Sequence, residues 1–202
     1  MSQHYFSEAP SGEFRPREIE ATLAGASRRV VTAGGVFSPE HLDQGTEVLL
    51  HWLEKEDAAD HGPILDLGCG WGAIALSAAL RSPETEVWAV DVNERARDLT
   101  AANARALGLA NIRIAPPEAV PESLGFAAIH SNPPIRVGKA VLHELLRQWL
   151  PRLVPGGSAH LVVAKHLGAE SLQRWIAAEF PELQVRRAAR DRGFHVIEAL
   201  RD

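Results

Sequence analysis

The chain has 202 residues, 46% apolar and 23% charged, with a net charge of −5 and a single cysteine, Cys69. That length supports one domain with its own core, and the composition excludes an intrachain disulfide scaffold and a disordered polyelectrolyte. No apolar run approaches the roughly 20 residues needed to span a bilayer, and "MSQHYFSEAPSGEF" lacks the basic and apolar regions of a secretory leader, so the expectation is a cytoplasmic protein without a membrane partner.

In chain order, residues 1–17 are polar and read as extended. "EIEATLAG" and "SRRVVTAGG" predict a short N-terminal β-hairpin around a glycine turn. "SPEHLDQGTEVLLHWLEKE" predicts a helix capped by Ser38, with Pro39 at its first position and Val48, Leu49, Trp52 and Leu53 at helical spacing. From residue 63 strands and helices alternate. "PILDLG", "EVWAVD", "NIRIA", "FAAIHSN" and "GSAHLVVAK" read as strands. "WGAIALSAALR", "ERARDLTAANARALG" (ending at Gly108), "VGKAVLHELLRQWLPRL" and "GAESLQRWIAAEF" read as helices. "LQVRRAAR" and "GFHVIEAL" flank the turn "DRG" as a closing hairpin. Such alternation predicts an α/β fold with a mostly parallel sheet, helices on both faces and one antiparallel strand from the hairpin.

Charge is uneven along the chain. Residues 1–100 carry 8 basic and 17 acidic side chains, and residues 101–202 carry 13 and 9. A positive second half suits a polyanionic partner, and chance drift of surface charge gives the same numbers.

"ILDLGCGWG" joins the first core strand to its helix. Gly68, Gly70 and Gly72 permit a tight turn and close approach to a ligand at a helix N-terminus. Asp91 ends the next strand, where a carboxylate can accept from both hydroxyls of a ribose. The spacing is G-x-G-x-G rather than the dinucleotide G-x-G-x-x-G, and no phosphate-binding Lys-Ser pair follows. A nucleoside cofactor without a pyrophosphate fits, and S-adenosyl-L-methionine is the common one, its amine meeting Asp66. The competing reading is a tight turn and helix cap without a ligand.

With "DLGCGWG", "VDVN" and "SNPP" in this order, the chain resembles the class I S-adenosylmethionine-dependent methyltransferases. "GGVFS", "LDQGTEVLL", "NPPIRVGKAVLHELL" and the opening "HYFSEAP" narrow the resemblance to the small-domain enzymes that methylate guanine N2 of small-subunit ribosomal RNA, in their short single-domain branch. The resemblance covers nearly the whole chain. It implies a Rossmann-like doubly wound seven-stranded sheet, with residues 1–35 as N-terminal extension and hairpin and 36–202 as the methyltransferase domain. It further implies Phe37 and Thr46 as walls of the cofactor pocket, Glu118 near the adenine amine, and small-subunit RNA or the assembled subunit as partner.

In "SNPPIR" the Asn132 side-chain oxygen and the Pro133 carbonyl can each accept one N–H of a conjugated amine, aiming its lone pair at the methyl donor, while Pro133 and Pro134 stiffen the turn. Many relatives have an aromatic residue next; here Ile135 offers an apolar wall, and Arg136 a guanidinium plane or a phosphate contact. Lys139, His143 and Arg147 lie four apart on the following helix, opposite Val141, Leu145 and Trp149. That makes a basic stripe for RNA phosphates or a solvated face, as does the arginine cluster Arg186, Arg187, Arg190 and Arg192. His130 and Ser131 point to opposite faces of a strand, and no His or Cys spacing suggests a metal site. Methylation of protein glutamine or of a small metabolite, and a non-catalytic cofactor-binding module, are the alternatives.

Overall fold

The structure, a computed structural model, describes residues 15–56 and 62–202; the "HYFSEAP" segment lies outside them. β1 (Pro16–Leu23) and β2 (Ala26–Ala33) form the expected antiparallel hairpin, closed by Ala24 and Gly25, both at positive φ. A two-residue turn of that hand matches the twist of the strands it joins. Ala21, Leu23, Val30 and Ala33 are buried in one cluster with Leu49, Ile74 and Leu99 of the helices described below. Asn103 fastens the hairpin further. Its Oδ1 accepts the Val31 N–H at 2.7 Å, and its Nδ2 donates to the carbonyls of Val31 and Trp71, each at 2.9 Å.

Helix α1 spans Gln44–Leu53 and begins later than the sequence suggests. Ser38 is not its cap: it sits at φ +47°, its hydroxyl donates to the His41 carbonyl at 2.7 Å, and residues 34–42 form a loop. An N-cap needs extended backbone, and Asp43 supplies it at φ −61°, ψ 139°, with its carboxylate accepting the Thr46 N–H at 3.0 Å.

The rest of the chain builds one seven-stranded sheet from β3 (Ile64–Leu67), β4 (Val87–Val90), β5 (Ile112–Ala115), β6 (Phe126–Ser131), β7 (Leu153–Ala164), β8 (Leu183–Asp191) and β9 (Phe194–Arg201). The spatial order is β5-β4-β3-β6-β7-β9-β8. The first five of these strands run parallel, and β9 is antiparallel to both of its neighbours. Helices α2 (Ala73–Arg81), α3 (Glu94–Ala106), α4 (Lys139–Trp149) and α5 (Ala169–Glu179) connect the strands. This is the Rossmann-like doubly wound architecture. Winding reverses between β3 and β6, so the chain leaving their carboxyl ends diverges and opens a crevice between the glycine loop and Asn132.

Two boundaries differ from expectation. β7 starts at Leu153 rather than Gly157, because its pairing with β6 continues through an irregularity between Phe126 and Ala128. A Cβ on Gly157 would lie 2.9 Å from the Val154 carbonyl, so only glycine passes there. On α4 the buried face is Leu142, Leu146 and Trp149, not Val141, Leu145 and Trp149; Val141 is 56% exposed. Both sets fit a helical period, and packing of Trp149 against Phe126 at 6.3 Å selects the first.

Candidate active site

The three loop glycines are required for two different reasons. Gly68 (φ +79°) and Gly70 (φ +58°) adopt left-handed backbone beside open space, which leaves their surface free for a ligand. Gly72 (φ +99°) is also crowded: a Cβ there would lie 2.9 Å from Cγ2 of Thr100, whose hydroxyl donates to the Gly70 carbonyl at 3.1 Å.

Two carboxylates brace this loop. Asp91 accepts the Gly70 N–H at 2.9 Å through one oxygen and the Asn93 N–H at 2.9 Å through the other, while burial raises its carboxyl above the usual range. A carboxylate offers about four acceptor positions, so capacity remains for a ribose. Asp66 is 1% exposed; its Oδ2 accepts the Ala75 N–H at 2.9 Å and its Oδ1 has no protein partner. Burial pushes this carboxyl up to about 8. An orphaned acceptor behind an open glycine cradle fits a cofactor that brings an ammonium group. Glu118 is exposed, in the short turn Pro117–Ala119 beyond β5. Cys69 is buried with its Sγ 3.6 Å from the Thr100 hydroxyl, and burial holds the thiol protonated.

Asn132 follows the last residue of β6, and the Ser131 hydroxyl ties that strand to the end of β3 by donating to the Leu67 carbonyl at 2.6 Å. The Asn132 Nδ2 donates to Oδ2 of Asp43 at 2.7 Å and to Oγ1 of Thr46 at 3.0 Å. A carboxylate only accepts, so the amide nitrogen must face α1. Its two protons are used there, and its oxygen is turned the other way as a free-standing acceptor direction. The Pro133 carbonyl already accepts the Ile135 N–H at 2.8 Å and keeps its second lone pair. Pro134 leads into the short turn Ile135–Val137, which contains Arg136, and Lys139 is exposed at the start of α4.

Thr46, expected as a pocket wall, thus also holds the amide. Asp43 was not among the expected site residues. Its place three residues before Thr46 marks it as a helix cap, but nothing in that spacing points to Asn132.

Two clefts meet at Asn132. One, of about 30 Å³, is lined by Phe37, Asp43, Thr46, Gly68, Gly70 and Asn132. The other, of about 160 Å³, is lined by Phe37, Asn132, Pro133, Ile135, Leu167 and Phe194 among others. A larger cavity of about 640 Å³ opens at the amino ends of β3, β6 and β7 beneath α1 and α2, and holds none of the expected site residues. The carboxyl-end clefts are the better site because Gly68 and Gly70 of the loop, Asp43 and the oriented amide converge there, while Asp66 and Asp91 stand behind the loop and line neither cleft.

The basic stripe does not stand free. His143 stacks on Trp175 at 3.6 Å between ring centroids, and the Arg147 side chain donates to Glu179 at 2.6 Å, leaving Lys139 as the exposed end. In the arginine cluster, Arg186 pairs with Glu198 and Arg192 with Glu47 at 2.8 Å. Among the described residues there is no group of three or more His, Cys, Asp or Glu arranged to hold a metal ion, and no helix long and apolar enough to cross a membrane.

A family model described as the methyltransferase small domain matches residues 27–198. The chain is 33% identical over 202 residues to an uncharacterized Bacillus subtilis protein, YbxB, covering 98% of each. It is 32% identical over 191 residues to the ribosomal RNA small subunit methyltransferase C of Pseudomonas syringae pv. syringae, covering 93% of this chain and 54% of that one. Against the corresponding Shewanella halifaxensis protein the coverage falls to 66% and 39%, so the chain spans about half the length or less of such enzymes. Among solved structures it is similar to the T. thermophilus 16S rRNA N2 G1207 methyltransferase (RsmC) in complex with AdoMet and guanosine. The TM-score is 0.77 at 25% identity, with 96% of this chain and 52% of that one covered.

Proposed function

The chain belongs to the methyltransferase small domain family, and from that premise we propose that it methylates the exocyclic N2 of a guanine in small-subunit ribosomal RNA. S-adenosylmethionine is its cofactor and supplies the electrophilic methyl. The partner is cytoplasmic ribosomal RNA, naked or in the assembled subunit.

One observation carries this reading: the Asn132 amide is locked by Asp43 and Thr46 with its oxygen directed away from both. A guanine amine is a poor nucleophile because its lone pair is delocalised into the ring. In this reading the Asn132 oxygen accepts one N–H and the Pro133 carbonyl the other, which turns the lone pair out toward the donor. The same acceptors stabilise the positive charge that builds on nitrogen as the N–C bond forms and the C–S bond breaks. The extra proton then leaves to water, so no side chain is needed as a base. Asp91 holds the ribose, the glycine loop and Asp66 hold the methionine end, and Glu118 stands at the adenine end. Phe37 and Thr46 line the pocket, and Ile135, Arg136 and Lys139 meet the RNA. The RsmC structure holds AdoMet and guanosine together, which supports a methyl donor and a guanine as the pair brought to Asn132 here.

The test is transfer of radiolabelled methyl from S-adenosylmethionine to ribosomal subunits, naked ribosomal RNA and total protein from cells lacking the gene. Label in small-subunit RNA, mapped to guanine N2, is expected. Label in protein alone would reassign the substrate to another conjugated nitrogen such as a glutamine amide.

A further inference from the structure

The turn carrying Asn132 continues into Ile135, which has no π-face, so a flat heteroaromatic target finds no aromatic ring to stack on in that turn. The 160 Å³ cleft supplies one from elsewhere. Phe194 opens β9, paired with Ala164 at the end of β7, and lines the cleft beside Asn132, Pro133 and Ile135. Its ring lies close against the first turn of α1: a Cβ on Gly45 would come within 2.9 Å of Cε1 and 3.2 Å of Cδ1. Only glycine lets the ring settle there, next to the Asp43 carboxylate that orients Asn132. The ring and the acceptor are therefore both referenced to α1, through Gly45 and through Asp43.

Exposed apolar side chains border the cleft. Of the three exposed large hydrophobic side chains among the described residues, Phe37 (49%) and Leu167 (36%) both border it. Besides Asn132, the polar side chains of the cleft are Asp43, which is engaged with Asn132, and His166, and the remaining walls are apolar; such a lining suits a ligand with flat apolar faces and a hydrogen-bonding edge. A nucleobase turned out of its strand is such a ligand; a glutamine side chain has no comparable face.

We propose that Phe194 is the stacking face for the target base, taking the place of the aromatic residue that the Asn-Pro-Pro turn lacks. A base resting on Phe194 presents its amino edge to Asn132, and a base held by its edge alone would swing out of line. The inference rests on the RNA reading above.

The experiment compares wild type, Phe194→Leu and Phe194→Tyr in steady-state methyl transfer to small-subunit ribosomal RNA, with S-adenosylmethionine affinity measured by calorimetry on the same preparations. Leu keeps apolar volume without the π-face. It is expected to lower kcat/KM for RNA about five- to a hundredfold, chiefly through KM, the range found for removing one base–aromatic stack. Tyr is expected to restore most of that loss, and cofactor affinity to stay at the wild-type value in both variants. A Leu variant with wild-type kcat/KM would overturn the role of Phe194 alone. So would a Tyr variant no better than Leu, or a loss of cofactor affinity in step with activity, which is the mark of a packing defect. Wild type that transfers no methyl to RNA would overturn the RNA reading, and this proposal with it.

Discussion

Oδ2 of Asp43 stands 2.7 Å from Nδ2 of Asn132, two residues 89 apart in the chain, and the same oxygen accepts the Thr46 N–H at 3.0 Å. One carboxylate oxygen thus starts a helix and sets which way the amide of the Asn-Pro-Pro turn faces. Helix capping and the orientation of the Asn132 amide are coupled through a single atom.

Replacing Asp43 tests both roles together. Asp43→Ala removes the cap, worth about 1 kcal/mol of stability, and frees the Asn132 amide to flip. Methyl transfer should fall about ten- to a hundredfold, by analogy with loss of a side chain that orients a metal ligand. Asp43→Asn can present one oxygen to both donors and should keep most of the stability and activity. Thermal melts and kcat on the two variants check this; equal losses of activity in both would refute the orienting role.

Asn132→Ala removes the acceptor itself. Turnover should drop about a hundred- to a thousandfold, or roughly 3 to 4 kcal/mol of transition-state stabilisation, by analogy with loss of an oriented hydrogen-bonding group at a developing charge. S-adenosylmethionine affinity, measured by calorimetry, should remain near wild type. Retained turnover would show that the amine is held by other groups.

Gly72→Ala tests the loop. The added Cβ would meet Thr100 at 2.9 Å, and the residue would be held at φ +99°. Thr100 must move, and with it the hydroxyl that fixes the Gly70 carbonyl. Cofactor affinity should fall at least tenfold, with a destabilisation of about 1–3 kcal/mol for backbone held in such a region. Wild-type affinity in a binding titration would mean that the loop is not shaped by this contact.

Asp66 gives the protein a pH dependence of definite sign. Its carboxyl is raised to about 8 by burial, whereas in the unfolded chain it ionises at about 4. Between those values the folded state keeps a proton that the unfolded state has released, so stability falls as pH rises through that window. Asp66→Asn keeps an acceptor for the Ala75 N–H and carries no charge. Its cofactor-free form should lose less stability from pH 5 to pH 8 than wild type, by a few kcal/mol at most. Asp91, also raised by burial, contributes alike to both proteins. Parallel denaturant-unfolding profiles across pH would refute the assignment.

The sheet, the helices and both signature turns are legible in the sequence because each is written locally, as a period, a glycine spacing or a proline pair. The start of α1 is harder to read, since Ser38 and Asp43 are both good capping residues and only their backbone angles decide between them. The face of α4 is equally open, because Leu142 and Val141 begin equally good helical stripes until Phe126 is placed. What the sequence conceals is the support of the site. The Asp43 contact to Asn132 joins distant segments, and Phe194 reaches the cleft only because β9 lies beside β7. No spacing rule records such meetings; tertiary packing creates them.

β9 follows β8 in the chain yet lies between β7 and β8. As the polypeptide emerges from a ribosome, β8 has no strand to pair with until β9 has been made and inserted. The five parallel strands, the glycine loop and Asn132 can assemble before that point. Phe194, at the first position of β9, cannot reach its place until the insertion occurs. In a nascent chain the glycine loop and the Asn-Pro-Pro turn are therefore complete before the Phe194 wall of the neighbouring cleft, and the late hairpin decides when that cleft gains its last side.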